Sequence, residues 1–308
     1  MGDIISFAYQ YADSFALLAL SSIGLVIIFG MMGVINMAHG EFMMIGAFGA
    51  SFGFQWGLPL SLAIVTGVFA ATAIGLLLER LVIRKLYGRL LYSLVATWGI
   101  SLVLSQGALV LIGPSVPSLP NPFGTVSVGG MNFSVYRLFL VALAIALIVT
   151  LWALMRFTNF GLHARATMTE PDMAEALGVR TTRIYMVTFG LGAALAGFAG
   201  AIFGLSAQIQ PTFGAAYTPI AFIVVVVAGS RNIIAGLLAS ALVLALVKTS
   251  FTVGFNILTG YVAMLVTALI IIRLSPTGIL DLIGKLKALA SQHRSSTAGT
   301  SAEETKNA

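Results

Sequence analysis

The chain has 308 residues, of which 59% are hydrophobic and only 8% charged, with a mean hydropathy of +1.03. A soluble globular chain carries about 25% charged residues, so this composition excludes one and indicates a membrane protein. There is no cysteine, which rules out a disulfide framework and thiolate chemistry. The net charge of +6 comes from cations in short clusters between apolar runs, a pattern of membrane loops rather than of a nucleic-acid surface.

In chain order, Met1 to Ser14 carries Asp3 and Asp13 without Lys or Arg, and so lacks the basic start of a cleavable signal peptide. A spanning helix needs about 20 mostly apolar residues. Runs that meet or approach this lie near 15–31, 42–56, 59–78, 93–112, 135–155, 185–206, 218–229, 233–250 and 257–273. Those at 42–56, 218–229 and 233–250 are short or interrupted and read as half-helices or tilted segments. The expected fold is all-α: a polytopic transmembrane helical bundle of about eight to ten spans, some of them broken or short. A single transmembrane domain is expected over 1–290, with a tail over 291–308.

Between the first two runs, Asn36, His39, Gly40 and Glu41 place polar and ionisable groups in a strongly apolar region. Such groups are costly at membrane depth and usually face a pathway or a partner. Gly30, Gly33 and Gly40 interrupt the run, and a broken helix is tolerated only where protein or a water-filled cavity satisfies the freed backbone groups. Two readings follow: Asn36, His39 and Glu41 contact a solute, or they pin a bent helix. A lone histidine with no second ligand nearby argues against a metal.

Charge then sorts the loops. Arg80, Arg84, Lys85 and Arg89 form one cluster, Arg156, Arg165, Arg180 and Arg183 a second, and Arg273, Lys285, Lys287 and Arg294 a third. These twelve of the sixteen cations are assigned to the cytoplasm by the positive-inside rule. The uncharged segments 113–134 and 207–218 then face outward, which gives nine crossings, an outer N-terminus and a cytoplasmic C-terminus. The proline-rich stretch 113–122 reads as an extended loop, either a connector or an outer docking surface.

The loop from Arg156 to Arg183 is expected to hold a short helix. Pro171 suits its first turn, Thr169 or Glu170 its cap, and Gly178 its end. Met173, Ala174 and Leu177 are expected on one face. Further on, Gly192, Ala196, Gly200 and Gly204 recur every four residues, a stripe that lets helices approach closely within a subunit or between subunits. Gly49, Gly53 and Gly57 form a second stripe. Lys248 near a span end is expected to snorkel to the interface, and Arg231 to anchor a short inner turn. Over 279–290 the apolar spacing suits a helix on the inner leaflet. The tail beyond it is polar and is expected to be disordered.

Several of these segments together resemble the branched-chain amino-acid (Liv-type) permeases of ABC importers, a family that includes urea and short-amide permeases. The resemblance is carried by the Asn36–Glu41 motif, by Leu94-Val-Ala-Thr-Trp-Gly-Ile-Ser-Leu102, by Ala176-Leu-Gly178 followed by Phe189-Gly-Leu-Gly-Ala-Ala-Leu-Ala-Gly-Phe-Ala-Gly200, and by Arg273-Leu-Ser-Pro276-Thr-Gly278. It covers about residues 15–282. The chain departs from the family pattern at Ala228-Gly229-Ser230-Arg231-Asn232, where a Gly-Gly pair is usual, and at Tyr217-Thr-Pro-Ile220, where an acidic or polar residue is common.

The resemblance implies a transporter subunit rather than an enzyme, multi-pass in the cell (inner) membrane, carrying branched-chain amino acids or related small polar solutes. Arg165, Glu170, Glu175, Ala176, Leu177, Gly178 and Arg183 would form the loop that couples it to cytoplasmic ABC ATPase subunits. A second permease subunit, identical or paralogous, and a periplasmic or lipid-anchored binding protein complete the expected partners. The chain has no Gly-x4-Gly-Lys-Ser/Thr phosphate loop, so ATP would be used by the partner and no cofactor is expected here. Two alternatives stay open: a secondary transporter or channel using His39 and Glu41 as a proton relay, and a nucleoside- or sugar-type ABC permease.

Overall fold

The computed structural model of the protein describes residues 2–128, 131–229, 232–275 and 277–284. The expectations for Ser230, Arg231, Lys285, Lys287, Arg294 and the 291–308 tail fall outside the described residues, as does part of the 279–290 helix. Residues 279–284 of that helix are helical.

Eleven α-helices account for the described fold: α1 (Gly2–Met32), α2 (His39–Gln55), α3 (Leu60–Leu81), α4 (Leu90–Leu111), α5 (Val135–Phe157), α6 (Asn159–Thr169), α7 (Pro171–Ala176), α8 (Thr181–Phe203), α9 (Phe213–Ala228), α10 (Ile233–Gly254) and α11 (Ile257–Leu274). Seven of them, α1, α3, α4, α5, α8, α10 and α11, are long and apolar enough to cross a bilayer. The fold is a polytopic helical bundle. The helix α10 runs 22 residues, a full span rather than the interrupted segment expected for 233–250. The first helix begins far ahead of its apolar run, at Gly2, because the segment before residue 15 packs on neighbours. There Tyr9 donates its hydroxyl to the Ser134 carbonyl at 3.2 Å and its ring meets Phe133 edge-on at 4.9 Å.

One short β-hairpin, which hydropathy does not signal, joins α4 to α5. Its strands β1 (Thr125–Val128) and β2 (Met131–Ser134) pair antiparallel, with Thr125 opposite Ser134. The proline-rich strap before it is extended and lies across one end of the bundle. Val116 pairs with Ile209, and Ser51 donates to the Pro117 carbonyl at 2.7 Å. The opposite end carries the 3-10 turn Ile83–Leu86 with Arg84 and Lys85, together with α6 and α7. This is the basic end of the bundle.

The core is built on glycine. Helices α1 and α8 run past one another in opposite directions, so that Met31 meets Thr188 and Gly24 meets Gly192 and Ala196. Gly46 of α2 sits on Gly197, and Gly200 sits on Met43: a Cβ at Gly200 would fall 1.9 Å from the Met43 carbonyl oxygen. Without a hydrophobic drive between helices in lipid, such close backbone approach supplies the packing energy. Gly204 stands apart from the stripe and caps the end of α8, nearest Ile209. Gly49 and Gly53 pack on α3 at Gly67 and Thr66, whereas Gly57 has φ +85° in the turn after α2, where an added Cβ would meet nothing within 4 Å. The 49–53–57 stripe therefore stops at its second member.

Candidate functional site

The chain leaves the helical conformation between Met32 and His39. Gly33 makes the exit with φ +61°, a conformation that L side chains disfavour. The next residues double back, so that His39 at the start of α2 lies against Ser21, eleven residues before the end of α1. The His39 Nε2 atom is 2.8 Å from the Ser21 carbonyl oxygen. Helix α2 thus starts inside the bundle. It is buried from His39 through Phe48, between α3, α8 and α9, with His39 itself reaching α1.

Hydroxyls satisfy the backbone groups that this break exposes. Thr97 of α4 accepts from the Met37 N–H at 3.0 Å, and its Oγ1 lies 3.1 Å from the Ile35 carbonyl. Asn36 accepts from the Ala38 N–H at 3.1 Å through its own side chain. Gly40 N–H donates to Thr218 of α9 at 3.1 Å, and Thr218 in turn donates to the Gly214 carbonyl. Gly40 and Gly214 face each other so closely that a Cβ on either would fall within 2.2 Å of the other's carbonyl oxygen. The first turns of α2 and α9 therefore meet backbone to backbone. Ser101 donates to Glu41 Oε1 at 2.8 Å, tying α2 to α4.

The structure brings Asn36, His39, Gly40 and Glu41 together at one buried junction, each side chain almost fully enclosed. Three of their atoms, Asn36 Nδ2, His39 Nδ1 and Glu41 Oε2, have no hydrogen-bond partner among the described residues. Buried polar groups are normally paired, and three of the five buried side-chain atoms left unpaired among the described residues fall at this junction. The spacing of the motif does not reveal its partners Thr97, Ser101 and Thr218. Their only sequence signal is a hydroxyl inside an apolar span.

At the basic end, α6 and α7 replace the single short helix expected between Arg156 and Arg183. Thr158 caps α6 by accepting from the Gly161 N–H at 3.1 Å. Arg165 donates to the Met155 carbonyl at the end of α5, which fixes α6 against that helix. Pro171 opens α7, but no side chain caps it: Glu170 occupies the cap position without a bond, and Thr169 donates instead to the Arg165 carbonyl. Gly178, with φ +89°, turns the chain into α8. Ala174 is buried against the bundle, while Met173 and Leu177 are 62% and 79% exposed. Ala174 therefore does not share a face with Met173 and Leu177. The exposed pair crowns a surface that also presents Glu170, Glu175, Ala176, Gly178 and Arg183.

This surface is tied to the spans through aromatic and ionic contacts. Tyr87 donates to the buried Glu79 carboxylate of α3, and its ring meets Tyr185 of α8 edge-on at 4.8 Å. Burial and the adjacent Glu79 push the Tyr87 phenol above the usual tyrosine range. Arg84 lies 3.9 Å from the same carboxylate.

Comparison with known proteins decides the family. Residues 7–274 match the model of the branched-chain amino acid transport system / permease component family. The chain belongs to that family. It is similar to the high-affinity branched-chain amino acid transport system permease protein LivH of Escherichia coli K12, with 28% identity over 280 residues, 85% of this chain and 90% of that protein. The probable LivH of Methanocaldococcus jannaschii is 27% identical over 90% of this chain and 91% of its own length. The corresponding BraD protein of Pseudomonas aeruginosa is 28% identical over 64% of this chain. Among solved structures, a chain of the PsaBC complex with Fab from Streptococcus pneumoniae aligns with a TM-score of 0.45 at 12% identity, over 87% of this chain and 90% of that one. The protein is thus a multi-pass membrane permease component.

Proposed function

We propose that this protein is the transmembrane subunit of an ATP-driven importer for branched-chain amino acids. The family match over residues 7–274 carries this reading, and the names of its LivH and BraD relatives give the solute class. The exposed Met173–Leu177 surface supports it further. An exposed apolar pair flanked by charged side chains, outside the spans, suits a groove on a soluble partner. That partner is an ABC ATPase pair in the cytoplasm, which places the C-terminus there as well. A second permease subunit and an external binding protein complete the machine.

In this account Arg165, Glu170, Glu175, Ala176, Leu177, Gly178 and Arg183 form the docking segment. When the ATPases close they displace α7. Helix α8 continues from that segment into the glycine crossings with α1, α2 and α3. Its motion reaches the junction of Asn36, His39, Gly40 and Glu41, where the unpaired polar atoms exchange partners as the pathway opens. Expression in cells lacking their own branched-chain permease tests the solute. Leucine uptake is expected to be restored, with excess isoleucine and valine competing and urea or nucleosides not. Competition by urea alone would replace the amino-acid reading.

The junction makes its own prediction. Glu41→Leu removes the acceptor for Ser101 and is expected to slow uptake about tenfold, equivalent to ~1.4 kcal/mol, whereas Glu41→Gln keeps that acceptor and most of the rate. Normal uptake by the leucine variant at equal membrane abundance would remove Glu41 from the mechanism.

A further inference from the structure

Opposite the basic end, three charged side chains meet among helices that are otherwise apolar. Arg137 Nη1 of α5 lies 3.1 Å from Asp13 Oδ2 of α1. Lys248 of α10 comes to the same place. Its Nζ sits 4.8 Å over the Tyr261 ring, and it lines the same cavity as Asp13 and Arg137. One carboxylate and two cations leave a surplus positive charge at the ends of spanning helices, where ionisable groups are by default candidates for a solute contact.

The Asp13–Arg137 pair forms one wall of a second cavity of about 380 Å³. Its other walls are of two kinds. Leu17, Leu140 and Phe203 are apolar, while Asn121, Ser134 and Ser206 are polar. The rim is held in place: Tyr136 donates to the Ile202 carbonyl at 2.9 Å, and Phe203 stacks on Tyr217 at 5.0 Å. The volume falls in the range of small-molecule pockets, about 300–1,000 Å³. Asp13 and Arg137 remain 23% and 49% exposed at their side chains, so both are reachable.

We infer that this cavity is a recognition subsite for a zwitterion with an apolar side chain, namely a free α-amino acid. The guanidinium of Arg137 offers a fork to the carboxylate, Asp13 takes the ammonium, and Leu17, Leu140 and Phe203 cover the aliphatic group. Lys248 lines the adjoining cavity and keeps its own charge, because a zwitterion adds no net charge to the site. A zwitterionic lipid headgroup offers the same two charges, without the short aliphatic side chain. The inference rests on the proposed amino-acid permease function and assigns that solute a place of contact.

The test uses the full chain in phosphatidylglycerol nanodiscs, whose headgroup has no cation, with ligand-observed saturation-transfer NMR. Leucine is expected to bind to wild type. Isovalerate, which lacks the ammonium, and isoamylamine, which lacks the carboxylate, are expected to bind about tenfold more weakly. This comparison reads each charge without altering the protein. Arg137→Gln and Asp13→Asn, checked for folding by thermal unfolding, are expected to weaken leucine by a similar factor. Equal binding of leucine and its two analogues, or unchanged affinity in Arg137→Gln, would overturn the subsite. Displacement of leucine by added phosphatidylethanolamine would overturn it too, in favour of a lipid headgroup. If leucine does not bind while the assembled transporter still accumulates it, the subsite fails and the permease reading stands. Failure of the wild-type assembly to accumulate any branched-chain amino acid is the separate result that removes the permease reading.

Discussion

Gly200→Val is expected to leave almost no folded protein. The Cβ alone would lie 1.9 Å from the Met43 carbonyl oxygen and 2.5 Å from its carbonyl carbon. Both are backbone atoms of a helix enclosed on several sides, so no side-chain rotation relieves the clash. Overpacking a well-filled core typically costs about 1–3 kcal/mol, and backbone clashes exceed that range. The crossing also supports neighbours: α2 next meets α8 at Gly46 and Gly197, and α3 at Gly67. A shift that makes room for valine therefore separates three helices. Gly107→Ala in α4 is the matched control, because nothing lies within 4 Å of the added methyl group. That change is expected to be neutral or to stabilise by up to about 1 kcal/mol through helix propensity. Detergent-extracted yield and thermal unfolding of the two variants, side by side, check both outcomes. A folded Gly200→Val protein with wild-type stability would mean that α2 and α8 do not pack as described.

The second large effect is expected at α7. Ala176→Arg and Gly178→Trp should abolish capture of the cognate ATPase, and Leu177→Asp should weaken it about thirtyfold, the loss of a central apolar anchor. None of these residues supports the bundle. Ala176, Leu177 and Gly178 are exposed, and only Ala174 in this helix is buried. Gly178 has open space around it but a positive φ, so the tryptophan variant changes the exit into α8 as well as the surface. Leu177→Asp leaves the backbone alone and separates these causes. Co-purification from detergent with the ATPase in excess measures each. Full capture of the ATPase by Leu177→Asp would place docking elsewhere, with the groove of Arg84, Tyr87 and Arg180 the next surface to vary.

Much of this architecture is written in local patterns. Long apolar runs mark the full spans, because lipid demands that each backbone group be satisfied within its own helix. The break at Gly33–Ala38 is visible from glycine and polar residues in one run, and α7 from Pro171 and Gly178. What stays hidden is of two kinds. The helix α6 is polar and contributes few buried side chains, Gly161, Ala164 and Thr167 among them, so hydropathy is silent there. The Asp13–Arg137 pair joins residues 124 positions apart, and neither position has a neighbour in sequence that betrays the other. The same holds for Thr97, Ser101 and Thr218, ordinary hydroxyls until the bundle brings them to the helix break and the first turn of α2. Local periodicity reports which face of a helix is apolar, not which helix will lie against it.

The most direct test of the importer account is leucine accumulation in proteoliposomes that hold this chain, its permease and ATPase partners and an external binding protein. ATP trapped inside is expected to drive accumulation, a protonophore to leave it unchanged, and a hydrolysis-dead ATPase to stop it. Accumulation that follows an imposed proton gradient without ATP would contradict the account and assign His39 and Glu41 to proton coupling instead.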